Sequence, residues 1–246
     1  YPRQQRLGYK YLIPIMARRS QKVLTVSDYS RRILDLAGVA DYNRVSILYN
    51  GADHMIDIVP QPQLLHDHGL AAGRFVIVFG TAKAYKNVAI VFEAFRDRRL
   101  AGQTLVVVGE SEASLRAGGL SPPAGTVFVG PVGDGALRAL YEQATCLVFP
   151  SKTEGFGLPP LEAMALGCPA IVAPGGAIPE VCHDAVIYAA IEAADEWVEA
   201  ILALAGDPAL RAAKIAAGRA RAATFTWERA GRRLLDQAMQ LAREPI

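Results

Sequence analysis

Residues 146–173 read CLVFPSKTEGFGLPPLEAMALGCPAIVA, and this stretch decides the fold. An apolar β-rich run, CLVF, gives way to a loop of Pro, Ser, Thr and Gly. A helical pattern, PPLEAMALG, follows and is stopped by Gly167 and Pro169 before a second β-rich run, AIVA. Strands that are apolar throughout and joined by a helical crossover imply a parallel sheet covered on both faces. The same alternation continues outward. FVIVFG at 75, TLVVVG at 104, TVFVG at 126 and AVIY at 185 bring the expected strands to about six. NVAIVFEAF and DGALRALYEQA are among the helices between them. The expected fold class is α/β, a doubly wound, Rossmann-like parallel sheet. Ligands in such sheets bind outside the carboxyl ends of the strands, so chemistry is expected in the loops that follow strands.

Before residue 75 a smaller piece repeats this grammar: KVLTV at 22, a helix from about Asp28 to Ala37, and RVSILY at 44. It reads as the tail of a second α/β domain. YNGADHMIDIVPQPQ then mixes Gly, Pro and Asp without periodicity, as an interdomain linker would. After residue 190 the chain is helical and ends in an amphipathic stretch from about Thr226 to Ala242. The expected division is 1–52, tail of an N-terminal domain; 53–73, linker; 74–225, main domain; and 226–246, a terminal helix. The chain opens inside what reads as an element and lacks an initiator Met, which suggests a piece of a longer protein. No internal repeat is visible.

With 246 residues, 52% of them hydrophobic, the chain can bury a large core. A formal net charge of +2 is too small to point to a nucleic-acid partner. Cys146, Cys168 and Cys182 are odd in number and lack CxxC spacing, so they read as reduced core thiols in a cytoplasmic protein. No apolar run approaches the ~20 residues of a membrane span. Between Tyr1 and Arg32, Arg3, Arg6, Lys10, Arg18, Arg19, Lys22, Arg31 and Arg32 face a single acid, Asp28, with Tyr1, Tyr9 and Tyr11 interleaved. Such a segment suits an anionic membrane surface; a solvated helix face is the plainer reading.

The loop within 146–173 carries the chemistry. Gly155 and Gly157 lack side chains where backbone could approach a ligand, and Pro159 and Pro160 open the helix where missing N–H groups cost nothing. Free amides near Gly157 and Leu158, at the positive end of a helix, would suit a diphosphate. Glu162, placed in the first helical turn, could accept hydrogen bonds from sugar hydroxyls, and Glu154 would grip another part of the same ligand. Read singly, Glu162 is equally a favourable acid in a helix's first turn, and Glu154 equally a solvated loop residue. His66, Asp67 and His68 have no further ligand nearby and read as a surface helix end, so no metal site is expected.

The pattern PS-x-x-EGFGLP-x-LEAMA-x-G-x-P, with Glu154 and Glu162 separated by seven residues, resembles the signature of glycosyltransferase family 4. The resemblance covers essentially the whole chain. It implies the two-domain GT-B fold, with residues 1–52 on the acceptor side, residues 74–225 binding the donor, and the last helix crossing back. FVIVFGTAKAYKNVAIVFEAF resembles the first donor-domain strand and its glycine loop, with Gly80, and with Lys86 at the donor phosphates. Many members carry Arg where this chain has Thr81; Lys83 is either a substitute or a solvated lysine. FVGPVGDGALRALYEQATCLVFPS resembles the nucleobase cradle, implying roles for the backbone near Val132 and for the carboxylate of Asp134. Gly155, Phe156, Gly157 and Leu158 would border the donor. GGAIPEV resembles the loop near the donor sugar, and FTWERAGRRLLD the crossing helix.

By this resemblance Glu154 holds donor-sugar hydroxyls, Glu162 holds the ribose, and catalysis falls to Glu154 and Lys86. The implied reaction is retaining transfer of a hexose from a nucleoside-diphosphate sugar to a saccharide or lipid-linked acceptor. GDP-mannose is favoured if Asp134 reads guanine. No cofactor or metal is expected, since the amides, helix dipole and Lys86 supply positive potential. The expected setting is cytoplasmic, extending to peripheral contact with the inner face of the membrane. A GT-B-fold epimerase or phosphorylase would show acid/base residues or a pyridoxal lysine in the cleft, and neither signature is visible. A non-catalytic sugar-nucleotide-binding module stays open.

Overall fold

The computed structural model describes residues 8–243 and, of Tyr9, the backbone only. Tyr1, Arg3 and Arg6 of the basic stretch lie outside the described residues. The chain runs α1 (Ile13–Arg19), β1 (Val23–Thr25), α2 (Asp28–Leu36), β2 (Val45–Ile47), α3 (Gln63–Asp67), β3 (Phe75–Gly80) and α4 (Val88–Ala94). It continues through β4 (Thr104–Gly109), α5 (Glu112–Ala117), β5 (Val127–Gly130), α6 (Asp134–Gln143), β6 (Cys146–Phe149) and α7 (Leu158–Ala165). β7 (Ala170–Val172), α8 (Ile178–Cys182), β8 (Ile187–Tyr188), α9 (Ala194–Gly206), α10 (Pro208–Ala222) and α11 (Trp227–Arg243) complete it.

All six expected strands of the main sheet form, in the order β5-β4-β3-β6-β7-β8, and every pairing is parallel. Alternate residues of each strand enter opposite layers. Phe75, Ile77, Val106, Val108, Leu147 and Phe149 pack with α6, α7 and α8 on one face. Val76, Val78, Leu105, Val107, Cys146 and Val148 pack with α4 and α9 on the other. Both faces are therefore dry, which is why these strands are apolar at every position. Each such side chain contributes about 1.5–3 kcal/mol by burial. Trp197, fully buried in the second layer, directs its indole N–H to the Ala190 carbonyl at 2.9 Å.

Strand order reverses between β3 and β6, so their carboxyl ends open a crevice at a topological switch point. Residues 53–73, expected as linker, fold onto this unit. Met55 and Leu65 enter its core, and Arg138 of α6 donates to the carbonyls of Met55, Ile56 and Ile58. β1 and β2 form a separate parallel pair, with Ala17, Ala40 and Val45 as a small core of their own. Cys146, Cys168 and Cys182 are unbridged and buried, and burial pushes the Cys168 and Cys182 thiols up to about 12. Among the described residues no helix is long and apolar enough to cross a membrane.

Candidate active site at the strand switch point

β3 ends at Gly80, whose missing Cβ lets the chain pass against the Val107 side chain of β4. The loop that follows closes in a 3-10 turn, Ala84–Lys86, and α4 starts behind Asn87, which takes a left-handed conformation (φ 54°). Asn87 anchors the turn by donating from Nδ2 to the Ile191 carbonyl at 2.9 Å. The Lys152 N–H donates to the Tyr85 carbonyl at 2.8 Å, tying the loop after β3 to the loop after β6. This stitch brings together Lys86 and Glu154, 68 residues apart: Nζ lies 2.6 Å from Oε1. The ammonium also stands 5.4 Å from the ring centroids of Tyr85 and Phe149. Lys83, Tyr85, Thr153, Glu154 and Gly155 line an adjoining cavity of ≈ 730 Å³.

Glu154 rests on the GGAIPEV loop. The Ala177 N–H donates to its carbonyl at 2.9 Å, and a Cβ on Gly176 would collide with its backbone. Gly157 has φ 103°, a conformation that glycine alone tolerates, and its Cα faces Ile178 so closely that a Cβ would lie 2.5 Å from Cδ1. α7 begins immediately afterward. Pro159 and Pro160 have no N–H, and the Leu161 N–H bonds the Gly157 carbonyl at 3.4 Å, so the Leu158 amide is the helix's unused donor. The helix starts at Leu158, which places Glu162 in its second turn rather than the first.

Glu162 is held differently. Its side chain is 13% exposed, and burial raises its carboxyl above the usual range, with the charge of Asp134 adding to that and His54 opposing it. Tyr141, completely buried beside it, is raised well above its ordinary value by burial first and by the Glu162 charge second. Asp134 opens α6 behind Gly133 and is exposed, while Val132 is half-buried against the core. Two groups of the expected residues therefore assemble: Lys83, Lys86, Glu154 and Gly155 at one, Asp134 and Glu162 at the other. Phe156 faces neither, since its ring packs with Tyr49 (6.2 Å) and Phe225 (5.8 Å). Thr81 lies near an acid: Ser114 Oγ donates to Glu110 Oε2 at 2.7 Å and, with a smaller contribution from the Thr81 hydroxyl, holds that carboxyl below its usual range. His66, Asp67 and His68 sit at the end of α3, where Asp67 accepts from Gln63 Nε2 at 2.7 Å.

Several site neighbours carry no local signal in the sequence. Ser27 caps α2, accepting from the Ser30 N–H, and its own hydroxyl donates to the Gly155 carbonyl at 2.6 Å; Ser30 Oγ reaches the same carbonyl at 3.1 Å. Glu180 accepts from the Asp28 N–H (2.8 Å), the Tyr29 N–H (3.1 Å) and the Tyr49 hydroxyl (2.9 Å). A carboxylate at a helix N-terminus is favourable in charge as well as in hydrogen bonding. The β1-α2-β2 piece is thus bolted to the loop that carries Glu154. The S-D-Y-S capping pattern signals the helix start, but not the partner across the fold.

The family described as "Glycosyl transferases group 1" matches residues 66–221. The chain is 29% identical over 226 residues to O-antigen chain mannosyltransferase B of Escherichia coli, covering 84% of this chain and 57% of that protein. It is 24% identical over 201 residues to the O-antigen chain mannosyltransferase RfbU of Salmonella typhimurium, covering 80% and 54%. With the D-inositol 3-phosphate glycosyltransferase of Actinosynnema mirum it shares 31% over 199 residues, covering 72% and 48%. The chain spans about half the length of these relatives. Among solved structures, Anabaena HepE in complex with UDP and glucose superimposes with a TM-score of 0.79 at 19% identity, over 95% of this chain and 67% of that one. Sucrose-phosphate synthase from Thermosynechococcus elongatus gives 0.77 at 20%, over 94% and 61%. The fold common to them is the GT-B type. The strand-loop-helix unit built around Glu154 and Glu162 lies wholly inside the matched region, and the chain belongs to the group 1 glycosyltransferases.

Proposed function

We propose that this chain binds a nucleoside-diphosphate sugar at the β3/β6 crevice and forms the donor half of a retaining hexosyltransferase. The observation that carries the reading is the Lys86–Glu154 pair, whose glutamate lies four residues before the unused Leu158 amide in one loop-helix unit. As the anomeric bond breaks, the leaving diphosphate gains charge, and a fixed ammonium, a free amide and the positive end of α7 meet that charge without reorganising. Glu154, already oriented by Lys86, accepts hydrogen bonds from donor-sugar hydroxyls, and Glu162 accepts from the ribose. None of these roles requires a metal ion, and donor binding that survives chelator treatment is the expected result.

GDP-mannose is the favoured donor. The exposed carboxylate of Asp134 can accept from the paired N–H groups of guanine, and two of the relatives are named as mannosyltransferases. The acceptor is read as a saccharide or lipid-linked saccharide. Tyr11, Leu12, Ile15 and Met16 are exposed beside Lys10, Arg18 and Arg19, a surface suited to peripheral contact with an anionic membrane face on the cytoplasmic side. A thermal-shift panel of GDP, UDP, ADP and their sugars tests the donor reading, since specific binding stabilises the fold by mass action. GDP and GDP-mannose should raise the melting temperature most. A flat response across the panel would remove the donor site, and a preference for UDP-glucose would remove the guanine role of Asp134. Retention is tested by the anomeric configuration of the product.

A further inference from the structure

His54 lies in a 3-10 turn, Asp53–Met55, that touches the start of α11 on one side and Glu162 on the other. The indole N–H of Trp227 donates to His54 Nδ1 at 3.1 Å. Indole nitrogen can only donate, so Nδ1 must present its lone pair, and the proton of the neutral imidazole sits on Nε2. Nε2 faces Glu162, 3.6 Å from Oε1. A donor is therefore aimed at a carboxylate that is mostly buried and has Asp134 as a further neighbouring negative charge.

The turn has little freedom to move away. Asp53 Oδ1 accepts from the Trp227 N–H at 2.8 Å, and the Ala52 N–H donates to the Phe225 carbonyl at 3.1 Å. Gly51 passes so close to the Thr226–Trp227 peptide that no Cβ fits. Met55, next in sequence, is buried in the core. The two segments cross in direct contact, and His54 is the side chain that relays that crossing to the candidate site.

We infer that His54 is a positioning residue for Glu162, its tautomer set by Trp227, so that grip on the ribose depends on the contact between residues 51–54 and the start of α11. The inference rests on the reading that Glu162 accepts from ribose hydroxyls. His54 itself touches no reacting atom. It orients the Glu162 carboxylate and favours its charged, accepting form. Gln at this position would keep a donor near the place of Nε2, whereas Ala would not.

The test is calorimetric titration of the full chain with GDP or UDP, whichever stabilises it more, and with the 2′,3′-dideoxy form of the same nucleotide. His54→Ala should weaken the ribonucleotide roughly five- to tenfold and leave the dideoxynucleotide within about twofold. His54→Gln should recover most of the loss. Trp227→Phe keeps an aromatic ring but releases the tautomer, and should give an intermediate, ribose-dependent loss. In a Glu162→Ala background His54→Ala should add nothing, as expected of residues that act through one contact. Equal weakening of both nucleotides by His54→Ala, or losses that multiply in the double variant, would overturn the assignment. If Glu162→Ala leaves the ratio between the two nucleotides unchanged, the ribose reading falls and takes the inference with it. If Glu162→Ala lowers that ratio while His54→Ala and Trp227→Phe do not, only the role of His54 is lost.

Discussion

Glu154 and Glu162 stand seven residues apart in one loop-helix unit, yet the fold treats them in opposite ways. Glu154 sits in a loop, ion-paired with Lys86 at 2.6 Å and supported from below by the Ala177 amide. Glu162 sits on a helix, buried, with His54 at 3.6 Å and another acid, Asp134, contributing the same sign of charge. The first carboxylate is already satisfied and oriented. The second is desolvated and carries no ion pair with a lysine or arginine among the described residues; its neighbours are the Tyr141 hydroxyl and the His54 imidazole. On the proposed reading, this difference puts the charge of the leaving diphosphate at the Lys86–Glu154 end and the ribose at the Glu162 end.

The sharpest break would come at Lys86. Lys86→Ala removes the partner of Glu154 and the cation proposed to meet the diphosphate together. Calorimetry should record a loss of about 2–3 kcal/mol in nucleoside-diphosphate affinity and none for the nucleoside. Equal losses for both ligands would mean that the two ends are not separable. Gly157→Ala should follow, since it forces a side chain into a left-handed backbone and against Ile178. Denaturant titration should show a loss of about 1–2 kcal/mol. Ser27→Ala should cost about 1 kcal/mol, leaving the Gly155 carbonyl with Ser30 alone; an unchanged midpoint would show that the β1-α2-β2 piece is not bolted to the Glu154 loop.

The smallest effect expected is on stability, at the Glu162 end. Because burial raises this carboxyl in the folded protein, the folded state binds the proton more tightly than the unfolded state, and stability declines as pH rises above the ordinary value near 4.5. Glu162→Gln should therefore raise the melting temperature of the ligand-free protein at pH 7, with the gain shrinking as pH falls toward 4.5, while nucleotide binding weakens. A gain that does not vary with pH would show that burial of the charge is not its source.

Much of this molecule is legible in the linear chain. CLVF, AIVA and their companions are apolar at every position because both faces of the sheet are covered, and Gly and Pro mark where each helix stops. Local rules of that kind placed five of the six strands, α6 and the terminal helix to within about one residue, while β8 begins two residues after the start of its AVIY run. Other elements escaped them. α8 is five residues long and proline-bearing, too short for periodicity to register, and residues 53–73 look like linker because their packing is supplied by Arg138 and by the core rather than by their own pattern. The ring of Phe156 lies among glycines that read as ligand-facing, but Tyr49 and Phe225 draw it inward.

The sequence by itself determined the alternation of strands and helices and the glycine-rich turn before α7, because periodicity, helix stops and backbone freedom act over a few residues. Only the tertiary structure decided that Lys86 meets Glu154, that Ser27 holds Gly155, that Glu180 caps α2 and that Trp227 orients His54 toward Glu162. Those encounters join residues far apart in the chain. They depend on the strand order β5-β4-β3-β6-β7-β8 and on where two segments cross, neither of which any single stretch of sequence encodes.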